Sequence, residues 1–348
     1  MNGFIVDPDL CHDLLAKNVV PELSFDRSRD YNAWKKELKE KFVGLTGLSE
    51  IEKNACPLNV RVEYEEEKDG YRLIRFLFDS EAGETVPCYL LLPNDGKETH
   101  PVAITLQGHS TGFHNSIGVA KEAGDEADLP RVAFALQAVK NGFAALAIEQ
   151  RGMGERRSRL SYGKENKYYP RFHMCAVDSL RSILLGRTII GERVWDVSKA
   201  IDALSYFSGS LDLDNVLVTG NSGGGTISYY AACYDERIKL SVPSCSFCPY
   251  YESILSVEHC ACNYIPSAYR IFDMQDLAAL IAPRGLIVVA GAIDAIFPIE
   301  GVRRGFDIVK KIYSAAGAKD NCELIETPNG HFWRDDMVWS AIKRKTKT

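Results

Sequence analysis

The spacing of apolar residues predicts a helix and then a run of strands in the first part of the chain. Residues 29–45 favour a helix, because Trp34, Leu38 and Phe42 recur every fourth residue and form one apolar stripe. After this stripe, extended segments are separated by the turn sequences KDG and EAGE. They predict a series of antiparallel strands at 59–67, 71–79 and 84–93.

From about residue 100, short apolar segments alternate with amphipathic ones. The predicted strands are 101–108, 143–152, 215–220, 239–245, 285–292 and 322–328. The predicted helices are 130–142, 188–207, 224–234, 300–317 and a terminal helix from about residue 332. This alternation predicts an α/β fold, in which a mostly parallel twisted sheet has helices on both faces and the antiparallel strands extend its N-terminal edge.

Composition and charge exclude few classes of function, and they argue mainly against nucleic-acid binding. The 348 residues are 46% hydrophobic and 25% charged, which is ordinary for a globular protein. A net charge of −6 argues against a nucleic-acid partner, because phosphate binding needs clustered Lys and Arg. The densest basic segment, 151–159, is interpreted as a solvated loop face rather than a phosphate site.

No targeting or membrane segment is evident, so a cytoplasmic location with reduced thiols is expected. The N-terminus lacks a basic region followed by an apolar one, and the longest apolar runs have strand length. Among the ten cysteines, Cys245-x-x-Cys248 with His259-Cys260-x-Cys262 has elements of a zinc site. A second CxxC is missing and CxC chelates poorly, so the pattern favours buried free thiols and no metal.

The sequence GNSGGG, residues 220–225, joins a predicted strand to a predicted helix. Gly220 and Gly224 flank Ser222 as G-x-S-x-G, the spacing with which a sharp strand-to-helix turn presents a nucleophile. The small residues leave room for neighbouring backbone, and the helix N-terminus favours developing negative charge. A dinucleotide-binding turn is the alternative, but position 222 carries Ser where that turn needs its second Gly. Ser222 is therefore the predicted nucleophile.

A serine nucleophile needs a base, which in this topology is a histidine late in the chain. Only His259 and His331 follow Ser222. His331 comes directly after the last predicted strand, in a Pro-Asn-Gly loop that can present its ring at the carboxyl edge of the sheet. His331 is the predicted base, and His259 is the less favoured alternative.

The base in turn needs an acid that orients it. Asp294 follows the predicted strand 285–292 and precedes a predicted helix, which places it at the same edge of the sheet. Asp273 and Asp276 lie in a helical stretch, and Asp335 follows the base and would break the expected order. Asp294 is the predicted acid.

Two backbone N–H groups are expected to form an oxyanion hole. One belongs to Gly223, directly after the nucleophile, and the other to His109, in the loop after the strand 101–108. Ser110 is the next candidate for the second donor. The His109 side chain could bind substrate or cap its loop, and the capping role is favoured.

With these residues placed, the chain resembles the serine α/β-hydrolases grouped with acetyl xylan esterases and dienelactone-hydrolase-like proteins. The resemblance covers roughly residues 60–345 and is carried by LQGHSTG, AIEQRGMGER, GNSGGG, DERIK, HCACNYIP, DLAALIAPRGLIVVAGAIDAIFPIEG and NGHFW. It implies an α/β-hydrolase fold and ester hydrolysis by a Ser-Asp-His triad, with no metal and no organic cofactor. Those roles fall on Ser222, Asp294 and His331.

Two departures from the group bear on the chemistry. True dienelactone hydrolases use a cysteine nucleophile, so Ser222 points to esterase chemistry. Gln107-Gly108 stands where relatives often have His-Gly, which leaves the second oxyanion donor less certain. The chain is accordingly divided into an N-terminal helical extension, 1–58, and an α/β-hydrolase catalytic domain, 59–348.

We therefore expect a serine esterase that removes short acyl groups, acetyl above all, from a carbohydrate or another small molecule. A serine peptidase or amidase on the same fold, and a non-catalytic binding protein, are the alternatives. The aromatic-rich segment 162–175 could equally line the pocket or lie on the surface. Oligomeric state stays open, since the N-terminal helix could form an interface between copies or cover the edge of the sheet.

Overall fold

One sheet of nine strands organises the molecule. The computed structural model describes residues 6–160 and 175–346, so the aromatic-rich segment 162–175 lies outside the described residues except for Cys175. The strands are β1 (Arg61–Lys68), β2 (Tyr71–Glu81), β3 (Glu84–Pro93), β4 (His100–Leu106), β5 (Ala144–Ile148), β6 (Leu211–Asn221), β7 (Ile238–Ser244), β8 (Gly285–Gly291) and β9 (Cys322–Thr327). Their order in the sheet is β1-β2-β3-β5-β4-β6-β7-β8-β9.

The strand directions confirm the predicted α/β architecture. β1, β2, β3 and β5 pair antiparallel in turn, whereas β5, β4, β6, β7, β8 and β9 pair parallel. β5 is buried at every position, as a central strand covered on both faces must be, whereas the edge strand β1 is exposed along its whole length. The fold is that of an α/β-hydrolase.

Helices cover both faces of the sheet. They are α1 (Leu10–Asn18), α2 (Tyr31–Thr46), α3 (Leu48–Glu52), α4 (Asp125–Asp128), α5 (Phe134–Lys140), α6 (Ala176–Leu184), α7 (Ile189–Leu204), α8 (Gly223–Tyr234), α9 (Ala268–Ile271), α10 (Ala278–Ile281), α11 (Ile299–Ala315) and α12 (Asp335–Thr346). Among the described residues, none of these helices is both long and apolar enough to cross a bilayer.

The N-terminal helix α2 packs into the same core as the sheet. Asp30 caps it by accepting a hydrogen bond from the Ala33 N–H at 2.8 Å. Its predicted stripe is buried, and the Phe42 ring stacks on Tyr230 of α8 with centroids 5.9 Å apart. The boundary at residue 58 stays a prediction, because this packing does not show whether residues 1–58 and 59–348 fold independently.

One predicted helix is shorter in the structure than the sequence pattern suggests. The segment 130–142 was expected to be helical throughout, but α5 begins only at Phe134. Ala133 has ψ of 59°, outside the helical region, and its N–H bonds to Pro130 O in a preceding turn. The proline therefore belongs to that turn and does not start the helix.

The prediction that 151–159 is a solvated basic face is wrong for Arg151 and Arg156, although Arg159 is exposed. The side chains of Arg151 and Arg156 are only 9% and 4% exposed, and both pair with the buried Asp196 of α7 at 2.8 Å. The helix supplies a counter-charge that the local sequence does not reveal. Burial of these charges costs desolvation energy, and the two Arg–Asp contacts oppose that cost.

Candidate active site

The turn between β6 and α8 holds Ser222 in a strained conformation. Ser222 has φ of 56° and ψ of −124°, a region that non-glycine residues seldom occupy. Its N–H donates to Ser244 O at 2.8 Å, and its carbonyl accepts from the Thr226 N–H at 2.9 Å. These two hydrogen bonds anchor the turn and hold Ser222 at the carboxyl edge of the sheet.

The glycines around Ser222 are required by the close approach of β4. A Cβ atom on Gly220 would lie 2.3 Å from Leu106 O, and one on Gly224 would lie 2.0 Å from the same oxygen. Any side chain at either position would collide with backbone that the sheet holds in place. The G-x-S-x-G spacing is thus a steric requirement of this turn.

Asp294 and His331 form a hydrogen-bonded pair in the loops after β8 and β9. Their Oδ2 and Nδ1 atoms are 2.8 Å apart. Asp294 Oδ1 also accepts from the N–H groups of Ile296, at 2.8 Å, and Phe297, at 3.2 Å. Burial alone would raise the pKa of Asp294, but the His331 hydrogen bond and charge and the two N–H donors hold that pKa below its usual range. Asp294 is thus fixed as a carboxylate.

The other ring nitrogen of His331 is free. Nε2 has no hydrogen-bond partner within the described ranges, although it is buried. The His331 ring stacks on Phe297, with centroids 5.9 Å apart and planes inclined by 14°. Asp294 and Phe297 therefore fix the ring while leaving Nε2 available as a proton acceptor.

Residues 244–245, at the end of β7, link Ser222 to the Asp294–His331 pair. Ser244 accepts the Ser222 N–H, and the next residue, Cys245, has its sulfur within 4.8 Å of an Asp294 carboxylate oxygen and a His331 ring nitrogen. Since His331 Nε2 has no partner among the described residues, it is not hydrogen-bonded to the Ser222 hydroxyl. Such catalytic hydrogen bonds commonly form only once substrate is bound.

The loop after β4 lies directly against the Ser222 turn. A Cβ on Gly108 would be 2.9 Å from Asn221 O and 3.2 Å from Ser222 Cβ. The His109 ring packs over Gly223, since a Cβ on that glycine would lie 3.2 Å from His109 Cε1. Gly223 is the first residue of α8, so its N–H has no partner within the helix. The two expected oxyanion donors therefore belong to adjacent segments.

A buried carboxylate that the sequence analysis missed anchors this loop. Gln107 Nε2 donates to Glu149 Oε1 at 2.6 Å, and the Gln107 carbonyl accepts from Gln150 Nε2 at 2.6 Å. Burial raises the pKa of Glu149 to about 7. Glu149 directly follows β5 in the structure, but the predicted strand 143–152 continued past it, so the sequence analysis did not place it at a strand end.

The His109 side chain was expected to cap its loop, but it contacts two cysteine sulfurs instead. Its Nε2 lies 3.2 Å from Cys262 Sγ and 3.4 Å from Cys175 Sγ. Cys175 was not singled out in the sequence, because no local spacing relates it to residues 109 or 260–262.

The zinc pattern considered in the sequence was Cys245-x-x-Cys248 with His259-Cys260-x-Cys262, and only part of it comes together in the structure. Cys260 and Cys262 do lie together with Cys175, whereas Cys248 and His259 lie elsewhere. Cys248 approaches Pro298 O, and His259 is hydrogen-bonded to a serine hydroxyl.

The less favoured candidates for base and acid have other contacts. His259 Nε2 lies 3.0 Å from Ser253 Oγ, and its ring meets the edge of Phe297. Asp273 and Asp276 form a capping box at the start of the 3₁₀ helix Met274–Leu277. Neither aspartate is hydrogen-bonded to a histidine within the described residues.

Comparison with known proteins agrees with this fold. The model of the Abhydrolase family matches residues 3–173, just under half of the chain. YtaP of Bacillus subtilis strain 168, provisionally named a hydrolase, is 25% identical over 281 residues, which are 79% of this chain and 88% of YtaP.

Solved structures extend the likeness over nearly the whole chain. A protein of Bacteroides fragilis NCTC 9343, provisionally named an acetyl xylan esterase, superposes with a TM-score of 0.78 at 18% identity, covering 99% of this chain and 96% of that one. A glucuronoyl esterase from Solibacter usitatus gives a TM-score of 0.66 at 16% identity, covering 95% and 98%. The resemblance to α/β-hydrolases of the acetyl xylan esterase group is confirmed at the level of the fold.

Proposed function

We propose that the protein is a serine esterase that removes short acyl groups, with acetyl as the expected group, from a carbohydrate or another small molecule. The observation that carries this proposal is the strained Ser222 turn at the carboxyl edge of the sheet, where a buried carboxylate also holds His331 through Nδ1. Several solved structures of similar fold are named esterases, which supports ester hydrolysis over other hydrolytic chemistry.

In the proposed mechanism, Ser222 Oγ attacks the acyl carbon while its proton passes to Nε2 of His331. Asp294 holds Nδ1 as the protonated nitrogen and stabilises the imidazolium that forms. The N–H groups of Gly223 and His109 bind the tetrahedral oxyanion. Collapse breaks the bond to the alcohol, which leaves with the proton from His331.

The acyl-enzyme is then hydrolysed by the same groups. His331 removes a proton from water as the water oxygen attacks the acyl carbon. Collapse of the second tetrahedral intermediate breaks the bond to Ser222 Oγ, which regains its proton from His331. The products are the carboxylic acid and the free enzyme, so no cofactor is required by the chemistry.

The experiment is hydrolysis of p-nitrophenyl acetate, butyrate and octanoate by wild type and Ser222→Ala. Ser205→Ala, which removes an exposed hydroxyl after α7, is the matched control. The expected result is turnover that falls as the acyl chain lengthens, is lost in Ser222→Ala and is retained in Ser205→Ala. Equal turnover by wild type and Ser222→Ala would contradict the proposal.

Two other outcomes would favour the alternatives. Faster cleavage of anilides than of matched esters would indicate a peptidase or amidase. No turnover of either class, with no labelling of Ser222 by a fluorophosphonate, would indicate a binding protein. The expectations of a cytoplasmic location and of no nucleic-acid partner stay predictions, and the oligomeric state stays open.

A further inference from the structure

Three cysteine sulfurs and one histidine nitrogen converge beside the proposed active site. His109 follows β4, Cys175 directly precedes α6, and Cys260 and Cys262 lie at the 3₁₀ turn Ala261–Asn263. His109 Nε2 and the three Sγ atoms all lie within 4.8 Å of one another. Cys175 and Cys262 are buried, Cys260 is half-buried and His109 is exposed. We call these four residues the sulfur cluster.

The distances in the sulfur cluster suit a tetrahedral cation. Zinc bonds of about 2.3 Å to sulfur and 2.0–2.1 Å to nitrogen place neighbouring ligand atoms roughly 3.5–3.8 Å apart. The two nitrogen–sulfur separations, 3.2 and 3.4 Å, are close to this range. The sulfurs of Cys175 and Cys260 are 2.9 Å apart, well beyond the ~2.05 Å of a disulfide, and would separate by under about 1 Å to accept a metal between them.

Other buried cysteines of the chain behave differently. Cys88, Cys233 and Cys248 each approach a single backbone carbonyl, at 3.7, 3.5 and 3.9 Å respectively. That is the ordinary situation of a cysteine that packs as a small apolar residue. The sulfur cluster brings three thiols and an imidazole to one point, which packing alone does not require.

Arg193 of α7 provides a charge that a metal-bound cluster would need. It is 2% exposed, its guanidinium donates to Arg151 O at 3.0 and 2.6 Å, and it lies close enough to the three cysteines to interact with their charges. Within the described residues it forms no ion pair with a carboxylate. Three thiolates, a neutral imidazole and a divalent cation sum to −1, and Arg193 balances that charge. Without thiolates, the buried guanidinium would have no ion-pair partner among the described residues.

We propose that His109, Cys175, Cys260 and Cys262 bind one divalent cation, with zinc as the expected metal. Thiolate and imidazole ligands select a soft or borderline cation, and Cys₃His is a common structural zinc set. Four protein ligands close the site, so the metal has a structural role and takes no part in bond making. The proposal departs from the expectation of no metal that the sequence and the family resemblance gave, and that expectation is untested.

The site would position one side of the proposed oxyanion hole. Coordination through Nε2 ties the loop after β4 to the start of α6 and to the turn Ala261–Asn263, and it leaves Nδ1 of His109 as the protonated nitrogen. The His109 ring, which packs over Gly223, is thereby fixed, and the His109 backbone would be fixed with it. This positioning role rests on the proposed function, whereas metal binding does not.

The first test is the metal content of the full-length protein purified without chelators. Elemental mass spectrometry should find one zinc per chain in wild type, much less in Cys262→Ser and one in the matched control Cys248→Ala. Protein produced with cobalt should show thiolate-to-metal charge-transfer absorption. The proposal would be overturned if wild type contained no bound metal and its cobalt preparation showed no such absorption. This outcome does not depend on whether the variants fold. A disulfide between Cys175 and Cys260, found by peptide mapping, would also overturn it.

The second test separates the metal site from the proposed function. If the metal positions the oxyanion donor, Cys262→Ser should lower kcat on the order of 10²-fold with a smaller change in KM, because a shift of about 1 Å in a catalytic group can cost that much. Unchanged kcat in a metal-free, folded Cys262→Ser would overturn the positioning role. Stoichiometric zinc in a protein without esterase activity would refute the proposed function and leave the metal site standing.

Discussion

Replacement of Gly224 by alanine tests the steric account of the Ser222 turn. The new Cβ would lie 2.0 Å from Leu106 O, 2.6 Å from Leu106 C and 2.7 Å from Gln107 O. Ordinary contacts begin at 3.4 Å, so the first of these is 1.4 Å too short. All three atoms are main chain at the end of β4, so no side-chain rotation can relieve the collision.

The cost of this collision follows from what has to move. Forced overpacking of this kind typically costs about 1–3 kcal/mol of the free energy of unfolding. The backbone that must yield continues into Gly108 and His109, so the proposed oxyanion donor moves with it. A displacement of about 1 Å at a catalytic group can lower the rate on the order of 10²-fold. We therefore expect Gly224→Ala to lose both stability and activity.

Gly44→Ala is the matched control for this prediction. Gly44 is exposed on α2, and a Cβ there meets no atom within 4 Å. Alanine should gain up to about 1 kcal/mol there from helix propensity and leave catalysis unchanged. Urea unfolding and kcat/KM for p-nitrophenyl acetate measure both effects. A Gly224→Ala protein that matches Gly44→Ala in both would refute the steric reasoning.

Three further predictions concern other parts of the molecule. Asp294→Asn should lower kcat on the order of 10⁴-fold through the wrong His331 tautomer, and near-normal kinetics would contradict this role. Phe42→Ala should lower the free energy of unfolding in urea by about 3–5 kcal/mol, because the ring is fully buried, and a value near zero would contradict the packing of this ring in the core. Burial raises the pKa of Glu149 from 4.5 to about 7, so the unfolded chain releases this proton first as pH rises. Relative to Glu149→Gln, wild type should therefore lose up to about 3 kcal/mol of its free energy of unfolding as the pH rises from 4.5 to about 7. Parallel curves of unfolding free energy against pH for the two proteins would contradict this.

The sequence was informative where one local rule determined the outcome. The strands before Ser222, Asp294 and His331 are short and apolar with turn residues at their ends, so their carboxyl ends could be identified. Ser222, Asp294 and His331 follow three of those ends in the expected order. The Asp294–His331 hydrogen bond agrees with that order, while the catalytic roles of all three residues stay predictions.

Features that depend on contacts between distant segments could not be predicted. The sulfur cluster draws ligands from residues 109, 175 and 260–262, and only the weak CxC pair is visible locally. Arg151 and Arg156 read as a solvated basic face, because their counter-charge Asp196 lies 40 or more residues away on α7. Pro130 resembled a helix start, but it belongs to the turn before α5.

The most direct measurement for the central claim is covalent labelling of the full-length protein by a fluorophosphonate, followed by peptide mapping. A nucleophile activated by His331 should give one adduct on Ser222, absent in Ser222→Ala and formed much more slowly in His331→Ala. An adduct on another residue, or equal labelling rates in wild type and His331→Ala, would contradict the account.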